Sequence, residues 1–207
     1  KTTERQGAFI KDEEMLLKLK EEEVRMNIND FALKGKHNQS NTMAAGIASS
    51  ILDIRSEKIR EAIQSFEGLE HRMEKVATVK GVDYINDSKA TNINSTWYAL
   101  ENMAKPVVLI LGGVDKGNDY SLIEELVDEK VKGIICLGLD NSKILAAFDT
   151  MGKPMVEVQT MKDAVREAYK LAQKGDVVLL SPACASFDLF QNYEDRGRQF
   201  KNAVIEL

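Results

Sequence analysis

Apolar positions recur along this chain with two different rhythms, and the change between them divides the sequence. The first 35 residues carry short apolar bursts, GAFI (7–10), EMLLKLK (14–20) and VRMNI (24–28), broken by charged turns such as KDE and EEE. That pattern predicts short strands. They would bury little alone, and they read as the end of a larger sheet. Two helical stretches follow. The first runs over about 38–53, with Asn38 as its N-cap and Met43, Ile47, Ile51 and Leu52 on one face. The second runs over about 57–65, with Ser56 as its cap.

From about Met73 the rhythm becomes regular. Strand-like VATVKG (76–81) and VDYIN (82–86) precede a helix at about 95–104. PVVLILGG (106–113) leads to a helix at SLIEELVDE (121–129), and GIICLG (133–138) to one near 142–149. PMVEV (154–158) leads to a helix at 161–173, and DVVLLS (176–181) to a final helix near 188–204. The runs VVLIL, IICL and VVLL are apolar throughout, as strands covered by helices on both faces must be. Strand–helix alternation at this spacing predicts an α/β fold with an open, mostly parallel sheet. The boundary with the preceding piece falls near Phe66–Arg72.

Composition narrows the function classes. Hydrophobic residues make up 43% of the 207 positions and charged ones 29%, the balance of an ordinary globular protein. The net charge of −5 leaves no basic stripe for nucleic acid. No apolar run approaches the roughly 20 residues of a membrane span, and the polar start KTTERQGAFIKDEE does not read as a signal peptide. Cys136 and Cys184 lie in apolar strand-like contexts and are expected to be reduced, small buried side chains of a cytoplasmic protein. Two cysteines and two distant histidines form no zinc pattern, and no metal ligands are expected in this chain.

In an open parallel sheet, ligands bind at the loops leaving the carboxyl ends of the strands. Those loops read NDSKATN (86–92), GGVDKGNDYS (112–121) and PACASFD (182–188). One rim would therefore collect Ser88, Lys89, Thr91, Lys116 and Ser186, together with several helix N-termini. Lysines, hydroxyls and helix-start amides converging there suit an anion with more than one negative group, a dicarboxylate or a phosphate. Asp87 and Asp115 share the rim, where a carboxylate holds a hydroxyl, a cation or an amine, or simply makes a turn. Gly112–Gly113 serve either close backbone approach to a ligand or the turn alone. Lys1-Thr2-Thr3 mimics the end of a Walker A loop but lacks its glycines. GGVDKG lacks the G-x-x-x-x-G-K-[ST] spacing, and no G-x-G-x-x-G occurs.

At these loops the sequence resembles the Mur ligase family, and within it the branch that adds D-glutamate. The resembling segments are GKHNQSNTMAA (35–45), FEGLEHRMEKV (66–76), YINDSKATNINST (84–96), LILGGVDKG (109–117) and LLSPACASFDLFQNYEDRGRQF (179–200). The HN-x-x-N and HR elements are general to the family. NDSKATN and SPACAS-x-D point to D-glutamate over other amino acids.

The resemblance implies that residues 1–65 end a central ATPase domain and that 66–207 form a dinucleotide-fold-like, D-glutamate-binding carboxy-terminal domain. It implies ATP, Mg²⁺, D-glutamate and UDP-MurNAc-L-alanine as ligands, with the phosphate and metal sites mostly beyond these residues. A fragment of this extent is expected to be inactive alone. By motif, Asn38 and Asn41 would hold adenine, Arg72 and Asp87 the ribose side, and Lys89 the phosphates. Thr91, Lys116, Ser186, Phe187 and Tyr193 would bind the amino acid, with Lys89 and Lys116 as the catalytic cations. The chain departs from the family at Phe187, often aliphatic, at Tyr193, often Phe, and at GGVDKG, usually GGDGK. Another amide ligase of the family, a folylpolyglutamate-type enzyme, or a non-catalytic anion-binding module are the alternatives.

Overall fold

The computed structural model describes residues 7–19, 22–33 and 35–207; the Lys1-Thr2-Thr3 segment lies outside them. The chain divides into two compact units, Lys1–Gly68 and Leu69–Leu207.

In the first unit β1 (Gly7–Lys11), β2 (Glu14–Leu19) and β3 (Glu22–Asn27) form an antiparallel meander. Met15 pairs with Met26 and Leu17 with Val24, so the four point to one face, and all four are buried. Phe31, Met43 and Ile63 pack with Met15 and Met26. Helix α1 spans Lys36–Ile51 and α2 spans Ser56–Ser65.

Three details differ from the sequence reading. Gly35, at a φ of 93°, caps α1, and Asn38 lies inside the first turn. Arg55 takes the cap position of α2 and Ser56 is its first residue. The face built on Ile51 and Leu52 is not buried within the chain, for they are 61% and 74% exposed. Besides Met43, α1 meets the meander through a residue without a side chain: a Cβ on Gly46 would lie 2.5 Å from Leu17 Cδ1.

The second unit is a six-stranded sheet ordered β4 (Glu74–Val79), β5 (Val82–Asn86), β9 (Val177–Ala183), β6 (Val107–Gly112), β7 (Val131–Leu137), β8 (Met155–Val158). β4 is antiparallel to β5, and every other pair is parallel. Side-chain alternation in the central strands feeds two cores. Leu109, Ile134, Cys136 and Leu179 join α3 (Ile93–Glu101), α4 (Glu124–Lys130) and α5 (Ser142–Phe148) on one face. Val108, Ile110, Ile135, Leu137, Val178 and Leu180 join α6 (Met161–Leu171) and α7 (Tyr193–Ile205) on the other. The last strand, β9, enters between β5 and β6, so the loops after these three strands are neighbours at one end of the sheet.

Asparagines set two helix starts that the apolar period misplaced. Asn92 Oδ1 accepts from Ser95 N at 3.0 Å, so α3 begins at Ile93. Asn192 Oδ1 accepts from Asp195 N at 2.7 Å, so α7 begins at Tyr193 and the segment before it is a turn, not helix. The stretch read as a helix from Ser121 starts as a 3-10 turn at Tyr120–Ile123. Both cysteines are free and buried. Among the described residues no helix is long and apolar enough to cross a membrane.

Candidate functional site

The loop after β9 is the centre of the rim, stitched to its neighbours on both sides. Towards β6, Val114 N donates to Ala185 O at 2.8 Å and Ala185 N to Val114 O at 3.2 Å. Asn118 Nδ2 donates to Ala183 O at 2.9 Å. Towards β5, Arg196 of α7 donates to Ser88 O at 2.9 Å, to Ser88 Oγ at 3.0 Å and to Cys184 O at 3.1 Å. Ala183 sits in the left-handed region at a φ of 58°. A residue with a Cβ stays there only where its surroundings hold it, and these bonds provide the hold.

The double glycine answers to crowding between strands. A Cβ on Gly112 would lie 2.4 Å from Leu137 O, and one on Gly113 would lie 2.2 Å from Ala185 O. Both have φ above 120°, so the loop needs glycine twice over.

Lys89 and Tyr193 meet. The ammonium lies 3.8 Å from the centre of the ring, a cation–π contact joining the β5 loop to the start of α7. Ser88 Oγ donates to Tyr193 O at 2.8 Å. Thr91 is half-buried, Ser186 is buried, and Phe187 is 70% exposed. Lys116 is exposed on the β6 loop and makes no hydrogen bond or ion pair with the described residues. Its neighbour Asp115 is spoken for. Tyr120 and Lys143 donate to its carboxylate at 2.9 and 3.0 Å, and the Gly117 amide does so at 2.7 Å. Burial pushes this carboxyl up, but those donors outweigh it and hold it below its ordinary value. A cleft of about 300 Å³ opens beside it, lined by Gly113, Asp115, Leu139, Lys143 and Asp188 among others.

Asp87 is 7% exposed. Its oxygens accept from Met73 N at 3.2 Å and from Ser181 Oγ at 2.9 Å. Burial raises its pKa to about 7, against the pull of Ser181, the Met73 amide and the Arg72 charge. Arg72 itself is exposed. Asn38, half-buried, and Asn41, exposed, lie in α1 of the other unit, three residues apart and so on one helix face.

Among the described residues one cluster has the make-up of a metal site: Glu70, His71 and Glu74, with ligand atoms within 4.8 Å of one another. Its chemistry does not fit a cation. Lys201 Nζ sits 3.1 Å from the Glu70 carboxylate and 2.6 Å from that of Glu74. Asn86 Nδ2 faces Glu74 Oε2 at 3.1 Å and His71 Nδ1 at 2.9 Å. The amide therefore donates to Nδ1, which puts the ring proton on Nε2 and leaves no lone pair there for a metal. The cluster is a clamp between β5 and α7, tight enough that a Cβ on Gly197 would lie 2.2 Å from His71 Nδ1.

Sequence reasoning missed Arg196, Ser181, Thr96 and Asn86. A signal for Arg196 existed. In α7 the positions Tyr193, Arg196, Gly197, Phe200 and Val204 follow the helical period, which puts the arginine on the apolar face.

Comparison with known proteins bears on this arrangement. Residues 71–184 match the family model described as Mur ligase, glutamate ligase domain. A UDP-N-acetylmuramoylalanine–D-glutamate ligase of Christiangramia forsetii is 57% identical over 97% of this chain and 45% of its own length. One of Porphyromonas gingivalis is 58% identical over 91% of this chain and 44% of its own length. The chain thus spans about half the length of these curated relatives. Among solved structures, a pseudomurein peptide ligase type C from Methanothermus fervidus aligns with a TM-score of 0.67 at 17% identity, over 95% of this chain and 40% of that one. A folylpolyglutamate synthase of Mycobacterium tuberculosis complexed with ADP aligns at 0.63 and 14% identity, over 84% of this chain and 41% of that one. Likeness at that identity shows the fold alone.

Proposed function

The chain belongs to the Mur ligase family, within its glutamate ligase domain, and on that premise we propose that it forms the amino-acid-binding part of an ATP-dependent ligase. That ligase joins D-glutamate to UDP-N-acetylmuramoyl-L-alanine in peptidoglycan precursor synthesis. The observation that carries the substrate is the 57% identity, over nearly the whole chain, to a ligase named for D-glutamate. It is supported by a rim with an unpaired lysine, a buried serine and crowded backbone, features suited to a dicarboxylate.

The roles follow from charge and position. Lys116 pairs with a carboxylate of D-glutamate, and Ser186 and Thr91 offer hydroxyls to the carboxylates. Phe187 and Tyr193 shape the pocket wall. Lys89, steered by the Tyr193 ring, directs its charge at the phosphates. Asn38 and Asn41 pair with the adenine edge through their amides, and Arg72 and Asp87 serve the ribose side. ATP supplies the phosphoryl group that turns a carboxylate, a poor acyl donor, into one with a leaving group. The chain's own part is to hold the amine against that carbon and to offset the spreading negative charge. The Glu70–His71–Glu74 clamp does not fit Mg²⁺, and no step is assigned to it.

A phosphate-release assay on the full-length ligase tests this reading. D-Glutamate is expected to support turnover, and Lys116→Ala to raise its KM at least tenfold. Turnover supported only by a different amino acid would sink the substrate assignment. An unchanged KM in the variant would remove Lys116 from the site.

A further inference from the structure

Arg196 is the most deeply buried ion in the second unit, 1% exposed, and no carboxylate lies within ion-pair distance of it among the described residues. Burying a guanidinium is costly unless it is paired. Here it is met only by neutral acceptors, the Ser88 hydroxyl, the Ser88 carbonyl and the Cys184 carbonyl. Burial draws its pKa down only to about 10, so the charge is present at neutral pH. The acidic groups acting on it are the Cys184 thiol and, more weakly, Asp188, both on the same β9 loop.

Its three acceptors belong to the two loops that carry Lys89 and Thr91 on one side and Ser186 and Phe187 on the other. A planar fork reaches all three at once, and a lysine ammonium has no such geometry. Ser88 Oγ spends its own proton on Tyr193 O, at 2.8 Å, which leaves its lone pairs for Arg196. The bond to Cys184 O falls immediately after Ala183, the residue held at a φ of 58°. The arginine therefore restrains the strained turn from which Ser186 is presented.

We propose that Arg196 is a positioning residue for the amino-acid substrate: it fixes the β5 and β9 loops in register and leaves beneath them a positive charge that the ligand's carboxylates complete. The inference rests on reading the rim as the D-glutamate site. It assigns to a side chain that never touches the ligand a share of the preference for a dianionic amino acid.

Steady-state kinetics on the full-length enzyme distinguish this from a purely structural role. Arg196→Lys keeps the charge and loses the fork. It is expected to raise the KM for D-glutamate at least tenfold while that for ATP stays within twofold. Arg196→Ala is expected to show the same split more strongly, with D-glutamate affinity recovered by millimolar guanidinium and not by ammonium. Should the alanine variant fail to fold, the lysine variant still decides. A parallel rise in every KM, or a lysine variant indistinguishable from wild type, overturns the proposal. If wild type shows no dependence on D-glutamate, the functional reading fails first, and the ligand assigned to Arg196 falls with it.

Discussion

Three hydroxyl and carboxyl groups around Asp87 can be counted proton by proton. Ser181 and Thr96 are both fully buried, and Thr96 Oγ1 spends its proton on Ser181 O at 3.1 Å. Ser181 Oγ then has one proton for two neighbours, Asp87 Oδ2 at 2.9 Å and Thr96 Oγ1 at 3.2 Å. With Asp87 ionised, one of these contacts has no hydrogen. With Asp87 protonated the bond reverses, Asp87 donating to Ser181 Oγ and Ser181 Oγ to Thr96 Oγ1, so three protons fill three contacts. Burial favours this form and raises the pKa to about 7 against the Ser181 bond, which favours the ionised one. Among the described residues, the charged group acting on it is Arg72. The consequence for stability has a definite sign. In the unfolded chain the carboxyl ionises near its ordinary 3.8. Between there and about 7 the folded state holds a proton that the unfolded state has lost. The stabilisation is thus complete below about 4 and is lost as pH rises towards 7, at up to about 1.4 kcal/mol per pH unit. Urea unfolding of wild type and Asp87→Asn at pH 5 and pH 8 should show wild type losing stability across that range relative to the variant. Equal slopes would mean that Asp87 is ionised throughout.

At the scale of elements, the helix starts and strand ends decide where the rim residues sit. Asn192→Ala removes the acceptor for Asp195 N and should cost about 1 kcal/mol, as the loss of a cap does. It should also disturb Tyr193, the first residue of the helix. Circular dichroism melts alongside the D-glutamate KM would report both effects. Gly113→Ala is a harsher change, with a Cβ 2.2 Å from the Ala185 carbonyl and a φ of 125°. The carbonyl is backbone in a stitched loop and cannot step aside, so a loss above about 2 kcal/mol is expected in denaturant unfolding.

These same elements mark how far the sequence could be read. The buried strands β6, β7 and β9 were legible because they are apolar on both faces. That the loops after β5, β6 and β9 gather at one rim was legible because parallel strands send those loops to the same end of the sheet. The helix starts were not, since apolar period alone does not weigh one asparagine against another. Nor does a sequence tell that the end of the apolar stripe of α1, Ile51 and Leu52, stays exposed while Met43 and Gly46 face the meander. Arg196 stood on the apolar face of α7, but its partners are 12 and 108 residues away in the chain. Such contacts exist only once the topology is known.

For the molecule as a whole, the insertion of β9 between β5 and β6 has the widest effect. It gives the second unit a sheet in which β9, β6 and β7 are buried on both faces, whereas β5 alternates and β4 and β8 lie at its edges with mostly half-buried side chains. Among its described residues, the meander of the first unit has a small apolar cluster around Met15, Met26 and Phe31. Opening free energies follow buried contacts, so stability should be graded across the chain. Native-state hydrogen exchange is expected to find the slowest amides in β9, β6 and β7, faster ones in β4 and β8, and the fastest strand amides in β1 and β3. Leu179, buried in the middle of β9, gives the matching perturbation. Leu179→Ala should cost about 2–5 kcal/mol and speed exchange throughout the six-stranded sheet, because its strand pairs with both β5 and β6. Exchange confined to the neighbourhood of the mutation would mean that the sheet does not open as one unit. The rim loops would then owe their positions to local bonds, Arg196 foremost, more than to the sheet beneath them.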